Sequence, residues 1–203
     1  ALDLAARARI GVLVDHEDQI SAFARASAEH QVSIDVYLEI DVGMGRCGVA
    51  SIERAVAMAQ QIATAPYLNF MGLQCYHGSA QHYRLPEERQ QAIAAVCAKA
   101  AATKAAIEGV GIQVERISGA GTGSVMLESH SKLFNEVQAG SYILMDRDYS
   151  TNQRDPSDLP FEHALFVKTA VLSHPTVNRA VVDAGLKASS VDSGMPMVWH
   201  RTN

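Results

Sequence analysis

Ten residues from Gln74 to Tyr83, "QCYHGSAQHY", hold two histidines and two tyrosines. Histidine changes charge near neutral pH and tyrosine offers both a ring and a phenol, so the cluster suits general acid/base work and aromatic stacking. Any one of these histidines can equally be a bystander. A second group lies in "EIDVGMGRCGV", where Arg46 sits among Gly43, Gly45 and Gly48. Glycines let the backbone turn sharply or come close to something, and a guanidinium presents a fixed fork of donors to an anionic ligand atom. An arginine in an ordinary surface turn is the alternative. The third group is "SGAGTGS", Ser118 to Ser124. Glycine-rich turns aim backbone N–H groups at anions, and Thr122 and Ser124 add hydroxyl donors. It is neither a GxxxxGK[ST] loop nor a dinucleotide fingerprint. In the fourth, "VQAGSYILMD", Gly140 and Ser141 can complete a phosphate cradle while Gln138 offers an amide to a heterocycle. A plain strand with a glycine bulge is its other reading. Together the four groups describe a phosphorylated heterocyclic cofactor better than a sugar phosphate or a metal centre.

Each group follows a stretch that reads as a buried strand. "RIGVLVD", "SIDVYLEIDVG", "YLNFMGLQCYHG", "VERISGAGTGS" and "EVQAGSYILMD" are apolar runs ending in polar residues or glycine. Between them, Ile20, Phe23, Ala24 and Ala28 share one face of a helix. Ser51 caps a second helix carrying Ile52, Val56, Ala59 and Ile62. Pro86-Glu87-Glu88 opens a third, alanine-rich helix that runs to about Glu108. "ALDLAARARIGVLV" opens like the tail of a helix. The fold class is therefore α/β, a (β/α)8 TIM-like barrel, with an open doubly wound sheet as the rival. The barrel is favoured because chemistry follows nearly every strand rather than one switch point.

After Ser150 the pattern changes. "TNQRDPSDLP" reads as a polar linker, and "HALFVKTAVLSH" and "RAVVDAGLKASS" read as consecutive strands. The expected division is residues 1–150 as the later part of the barrel and 151–203 as a linker and the start of a β-rich domain. A closed barrel needs roughly eight strands, and an unclosed sheet leaves an edge that proteins avoid. The chain is therefore expected to be an internal portion of a longer polypeptide, with strands before Ala1 and more of the β domain after Asn203.

Composition bounds the partners. With 203 residues, 48% apolar, 19% charged and a net charge of -5, nothing favours nucleic acid or an anionic membrane. There is no apolar run of about 18 residues and no basic leader with a cleavage site. Cys47, Cys75 and Cys97 form no CxxC pair and read as reduced thiols in a cytoplasmic protein.

Taken in order, "EIDVGMGRCGV", "GLQCYHGSAQHY", "GAGTGS", "VQAGSYILMD" and "VDAGLKASS" resemble the D-threonine aldolase and D-serine dehydratase family. These are pyridoxal 5'-phosphate (PLP) enzymes built on an alanine-racemase-type barrel. The "YHGSAQHY" stretch looks more like the aldolase branch. The resemblance implies that Arg46 lies beside the PLP ring, that Tyr76 and His77 contact or pack on it, and that Gln138 falls where a residue faces the pyridine nitrogen. Thr122, Gly123, Gly140, Ser141 and Tyr142 match the phosphate-binding positions. His82 matches the base that takes the β-hydroxyl proton, so His82 and Tyr76 are the implied catalytic residues.

The family's Schiff-base lysine is expected N-terminal to this chain, since none of Lys99, Lys104, Lys132, Lys168 or Lys187 sits in its motif. The ligands of its divalent metal (Mn, Mg or Zn) are expected beyond Asn203. The implied activity is cleavage of D-threonine-type 3-hydroxy-amino acids to glycine and an aldehyde, in a homodimer. A dehydratase releasing an oxo acid and ammonia is the second reading, and a non-catalytic PLP carrier the third, although strands after Ser150 count against a carrier. A barrel enzyme acting on a phosphorylated metabolite without PLP is the fourth.

Overall fold

The computed structural model describes residues 2–199. A single helical turn, α1 (Leu2–Ala5), precedes β1 (Gly11–Val14), α2 (Glu17–His30), β2 (Ile34–Glu39), α3 (Ile52–Thr64), β3 (Leu68–Gln74) and α4 (Pro86–Gly109). Then come β4 (Arg116–Gly119), α5 (Val125–Ser131), the two-residue β5 (Glu136–Val137) and α6 (Arg147–Ser150). Single 3₁₀ turns at Ser79–His82 and Ser141–Ile143 follow β3 and β5.

The five strands form one parallel sheet in the order β1-β2-β3-β4-β5. Every strand lies beside its predecessor, with no reversal of order. A doubly wound sheet reverses at a switch point, so this is the winding of a barrel wall. Parallel strands also place all five C-terminal ends on one edge, which is where the four chemical groups emerge.

The apolar spacing explains the packing. Val36 and Leu38 of β2 and Leu73 of β3 are fully buried. They belong to one core with Ala55, Met58, Ala59 and Ile62 of α3 and with Ile93, Val96, Ala100 and Ile107 of α4. Those positions recur three, four or seven apart, as one helix face requires, and each large side chain buried there contributes about 1.5–3 kcal/mol. The caps match the sequence: the Ser51 hydroxyl accepts the Arg54 amide, and Pro86 occupies the first turn of α4. Unforeseen, the His16 side chain caps α2 in a reciprocal box with Gln19.

Three stretches depart from the sequence expectation. "VQAGSYILMD" is strand only at its start, because the Gln138 amide donates to both Gly119 and Ala120 carbonyls and the chain then turns at Gly140. The run after the glycine loop forms α5, which its mixed composition had hidden. Downstream, residues 163–170 are not strand, and pairing begins at β6 (Val171–Thr176), an antiparallel hairpin with β7 (Arg179–Val182). Asp183 closes the hairpin by accepting from the Thr169 hydroxyl and the Ala170 amide. Both strands are exposed on all their residues.

Candidate functional site

The loop after β2 is closed at its base and held rigid. Ile40 bridges Val49, and the Asp41 carboxylate accepts the amides of Gly43 and Gly45, each at 3.0 Å. The Gly45 and Gly43 bonds hold the Asp41 carboxyl below its usual range. Gly48 has φ +105° and lies against the Ile40–Asp41 backbone, where a Cβ would overlap it, and its amide donates to Asp15 beyond β1 at 3.0 Å. Glycine is therefore needed to cross this loop base. Arg46 sits exposed at the tip. Its charge reaches Glu39 and Tyr76: burial pushes both groups up and Arg46 partly offsets the rise.

The loop after β3 leans on the first. His77 is buried, accepts the Ala80 amide at Nδ1 (3.2 Å), and turns Nε2 toward Gly43. With Nδ1 accepting, a neutral ring carries its proton on Nε2. His77 thus lies against the β2 loop. Gly78 leaves room for Met44, whose sulfur accepts the Gly78 amide at 3.4 Å. Tyr76, half-buried, is the neighbour that shares electrostatic reach with Arg46, Glu128 and Tyr149.

Gln81, which sequence reading passed over, joins this loop to the glycine-rich one. It is fully buried. Its Oε1 accepts the Gly123 amide (2.9 Å), while Nε2 donates to the Ser124 hydroxyl (2.7 Å) and the His77 carbonyl (3.3 Å). The Gly123 amide is therefore committed to Gln81, and a Cβ at Gly123 would press on the Gln81 carbonyl. The amides of buried Gly121 and Thr122 donate to no protein acceptor among the described residues. Thr122 Oγ1 accepts the Tyr142 amide (3.1 Å), which leaves its own proton to donate outward and links the loops after β4 and β5. Gly140, where a Cβ would meet nothing, and Ser141 also have uncommitted amides among the described residues. Buried N–H groups want acceptors, so this cradle fits a phosphate.

Gln138, itself exposed, bonds across the strand ends. Its Nε2 donates to Gln74 Oε1 (2.6 Å) and Ser118 Oγ (2.9 Å), and Gln74 Nε2 returns a bond to Gln138 Oε1 (3.1 Å). Three strand ends are thereby cross-linked by amides.

His82 lies apart from the His77 group, on the exposed side of the 3₁₀ turn. Its Nδ1 bonds Asp148 on α6, and its ring packs on Tyr149 with centroids 5.3 Å apart. Asp148 also takes Arg84, whose Nη1 reaches Asn152 Oδ1. Burial pushes Asp148 up, but the bonds and charges of Arg84 and His82 outweigh it, so the carboxyl sits below its usual range. Neither Asp148 nor Gln81 carries a local sequence signal, because each partner is far away along the chain. Glu128 was missed for a similar reason. It is fully buried in α5, and neither carboxylate oxygen has a hydrogen-bond partner among the described residues.

No group of three or more His, Cys, Asp or Glu residues fit for a metal exists among the described residues. Among them, too, no helix is long and apolar enough to cross a membrane. All three cysteines are free thiols, and burial pushes Cys75 up to about 12.

The model of the alanine racemase N-terminal domain matches residues 1–148. The chain is 42% identical over 196 residues to a D-threonine aldolase of Arthrobacter sp., covering 97% of this chain and 52% of that protein. It is 41% identical over 198 residues to a 3-hydroxy-D-aspartate aldolase of Paracoccus denitrificans (strain Pd 1222), covering 96% and 51%. The crystal structure of D-threonine aldolase from Filomicrobium marinum superposes with a TM-score of 0.91 at 43% identity, over 96% of this chain and 53% of that one. The D-threo-3-hydroxyaspartate dehydratase of Delftia sp. HT23, at 23% identity and a TM-score of 0.78, shares the fold. The chain spans about half the length of the curated relatives it matches.

Proposed function

The chain belongs to the alanine racemase N-terminal domain family, and from that premise we propose that it is part of a PLP-dependent aldolase. The reaction is cleavage of D-threonine-type D-3-hydroxy-amino acids to glycine and an aldehyde. Residues 1–150 supply the later part of the barrel and residues 151–203 the linker and first strands of a second domain. The observation that carries the reading is the aldolase similarity along nearly the whole chain, against a likeness to dehydratases that is one of fold.

The residues fit the cofactor. PLP supplies an electron sink for the bond that breaks. Thr122, with the amides of Gly121, Thr122, Gly140 and Ser141, offers donors to its phosphate. Gln81 and the Thr122–Tyr142 bond fix those donors before any ligand arrives, so binding does not have to order them. Arg46 brings a positive charge to the Tyr76 side of the mouth. Tyr76 presents a half-buried ring, and His77 fixes the turn that follows it through the Ala80 amide. His82, exposed at the same edge, takes the proton of the substrate β-hydroxyl at Nε2 while Asp148 holds Nδ1. Loss of that proton lets the hydroxyl carbon become a carbonyl as the carbon–carbon bond cleaves. The reading carries with it a divalent metal (Mn, Mg or Zn) held outside these 203 residues, a homodimer and a cytoplasmic location.

The test uses the full-length protein. Addition of PLP should give the absorbance band of the bound cofactor, and incubation with D-threonine should then release glycine and acetaldehyde. Release of 2-oxobutyrate would make it a dehydratase, and failure to bind PLP would end the reading.

A further inference from the structure

His82 stands on a 3₁₀ turn between β3 and α4, and Asp148 on a one-turn helix 66 residues later. Short surface segments of this kind move unless something ties them down. Here the tie is doubled. The Asp148 carboxylate is shared, Oδ2 taking His82 Nδ1 and Oδ1 taking Arg84 Nη2, while the Asp148 carbonyl accepts Arg84 Nη1 at 2.9 Å. Asn152 Nδ2 donates to the Gln81 carbonyl (2.8 Å), and the Gln153 amide to the Arg84 carbonyl (2.9 Å). Buried Arg89 donates to the carbonyls of Tyr83 and Gln153 from below. The α6 segment is thus bonded to both sides of the His82 turn.

We propose that Asp148 is the positioning residue of His82, fixing the Nδ1–H form of its ring so that Nε2 presents a lone pair to the substrate hydroxyl.

The geometry supports each part. A carboxylate accepts and does not donate, so a bond from Asp148 places the His82 proton on Nδ1. Nε2 is then the basic atom, on a side chain that stays 48% exposed. Tyr149 packs on the ring and limits its rotation. Arg84 neutralises part of the Asp148 charge and keeps it ionised, so the carboxylate orients the ring without taking its proton. When the substrate O–H bond breaks, the proton goes to Nε2 and the imidazolium that forms lies against a fixed anion. The charged and titratable groups around the ring are Asp148 and Tyr149 on α6 and Arg84 on its own segment. The role given to His82 rests on the aldolase reading, whereas the ring's protonation pattern does not.

Two measurements on the full-length holoenzyme separate the two. The first is the ¹⁵N NMR signature of the His82 ring, assigned with His82→Ala, in the wild type and in Asp148→Asn. The wild type should show the Nδ1–H form, and Asp148→Asn should lose that preference. A wild-type ring in the Nε2–H form, or a signature untouched by Asp148→Asn, overturns the proposal whatever the protein's activity. The second is turnover of D-threonine against pH. Asp148→Asn should lower kcat on the order of a hundredfold or more, with KM and bound PLP retained, and should move the acid limb to lower pH. Asp148→Glu should recover part of the loss. Wild-type kcat and an unshifted pH profile in Asp148→Asn overturn the proposal, as does a loss explained by lost PLP with no recovery in Asp148→Glu. A wild type that binds PLP and has the Nδ1–H ring, yet cleaves no D-3-hydroxy-amino acid, overturns the aldolase reading and leaves only Asp148's control of the ring's proton supported.

Discussion

The Gly123 amide donates to Gln81 Oε1 at 2.9 Å, across a sequence gap of 42 residues. That one side chain decides how the loops after β3 and β4 meet, since its other end holds Ser124 and His77. The glycines of "GAGTGS" accordingly have two duties. Gly121 and Gly123 admit Gln81 at close range, and the amides at Gly121 and Thr122 are left over for an anion.

Gln81→Ala should therefore act on stability and cofactor binding at once. It opens a cavity in a fully buried position and strands a half-buried amide and a buried hydroxyl, which together cost about 2–4 kcal/mol. Urea unfolding of the apoprotein should show the loss as a lower midpoint, and PLP titration as weaker binding. An unchanged midpoint would show that the loops are held by something else.

Arg46→Ala tests the tip of the β2 loop. Removal of this charge should leave the fold intact, because the side chain is exposed and the loop is held by Asp41 and Asp15. PLP affinity should fall roughly tenfold, about 1.4 kcal/mol. The Tyr76 phenol should titrate still higher, having lost the cation that opposes its burial. Equal PLP affinity in the two proteins would return Arg46 to the status of a surface residue.

Much of this was legible beforehand because barrel walls have a strong local code. Five apolar runs, each ending in glycine or a polar residue, specify strands and their loops without long-range information. All five appear in order, and helix caps such as Ser51 follow from the same local chemistry. What escaped were polar residues whose meaning is a partner elsewhere in the chain. Gln81, Asp148 and Glu128 look like ordinary surface residues until the fold buries them or sets them beside Gly123, His82 and Tyr76. The truncated β5 and the later start of β6 departed for another reason: an apolar run is strand only where a partner pairs with it, and the chain turns away at Gln138 while β7 reaches back only to Val171.

Gly72→Ala probes the barrel wall itself. Strand pairing skips Met71, so Val36 faces Phe70 while Tyr37 faces Gly72. This bulge puts Gly72 at φ +147°, with the Arg116 carbonyl where a Cβ would stand. Alanine has neither the conformation nor the space, and the clash is with backbone that cannot move aside. The variant should lose several kcal/mol, on the order of 3–5, or fail to accumulate as folded protein. Circular dichroism melts would report this, and a wild-type Tm would mean that the bulge can slide.

Glu128 gives the protein a pH response of known sign. Its carboxyl is fully buried, and among the described residues neither oxygen has a well-formed hydrogen bond. Burial drives it up to about 7 from an ordinary value of 4.5, with nearby Ser124 and Ala120 opposing only in part. Among the described residues, Tyr76 just after β3 and Cys97 on α4 are titratable groups that feel it, and neither supplies a positive charge. The folded protein thus keeps a proton that the unfolded chain releases between pH 4.5 and about 7. Its contribution is fully present below 4.5 and is lost as pH rises through 7. At about 1.4 kcal/mol per pH unit, the loss is on the order of 3 kcal/mol. Glu128→Gln keeps the shape and removes the titration. Wild type and variant should be similarly stable near pH 5 and diverge toward pH 8, where the variant is the more stable. Urea midpoints at matched pH values measure the divergence directly, and titrations elsewhere in the protein cancel between the two. Parallel curves from pH 5 to pH 9 would mean that Glu128 is ionised throughout and that the fold supplies it with a partner.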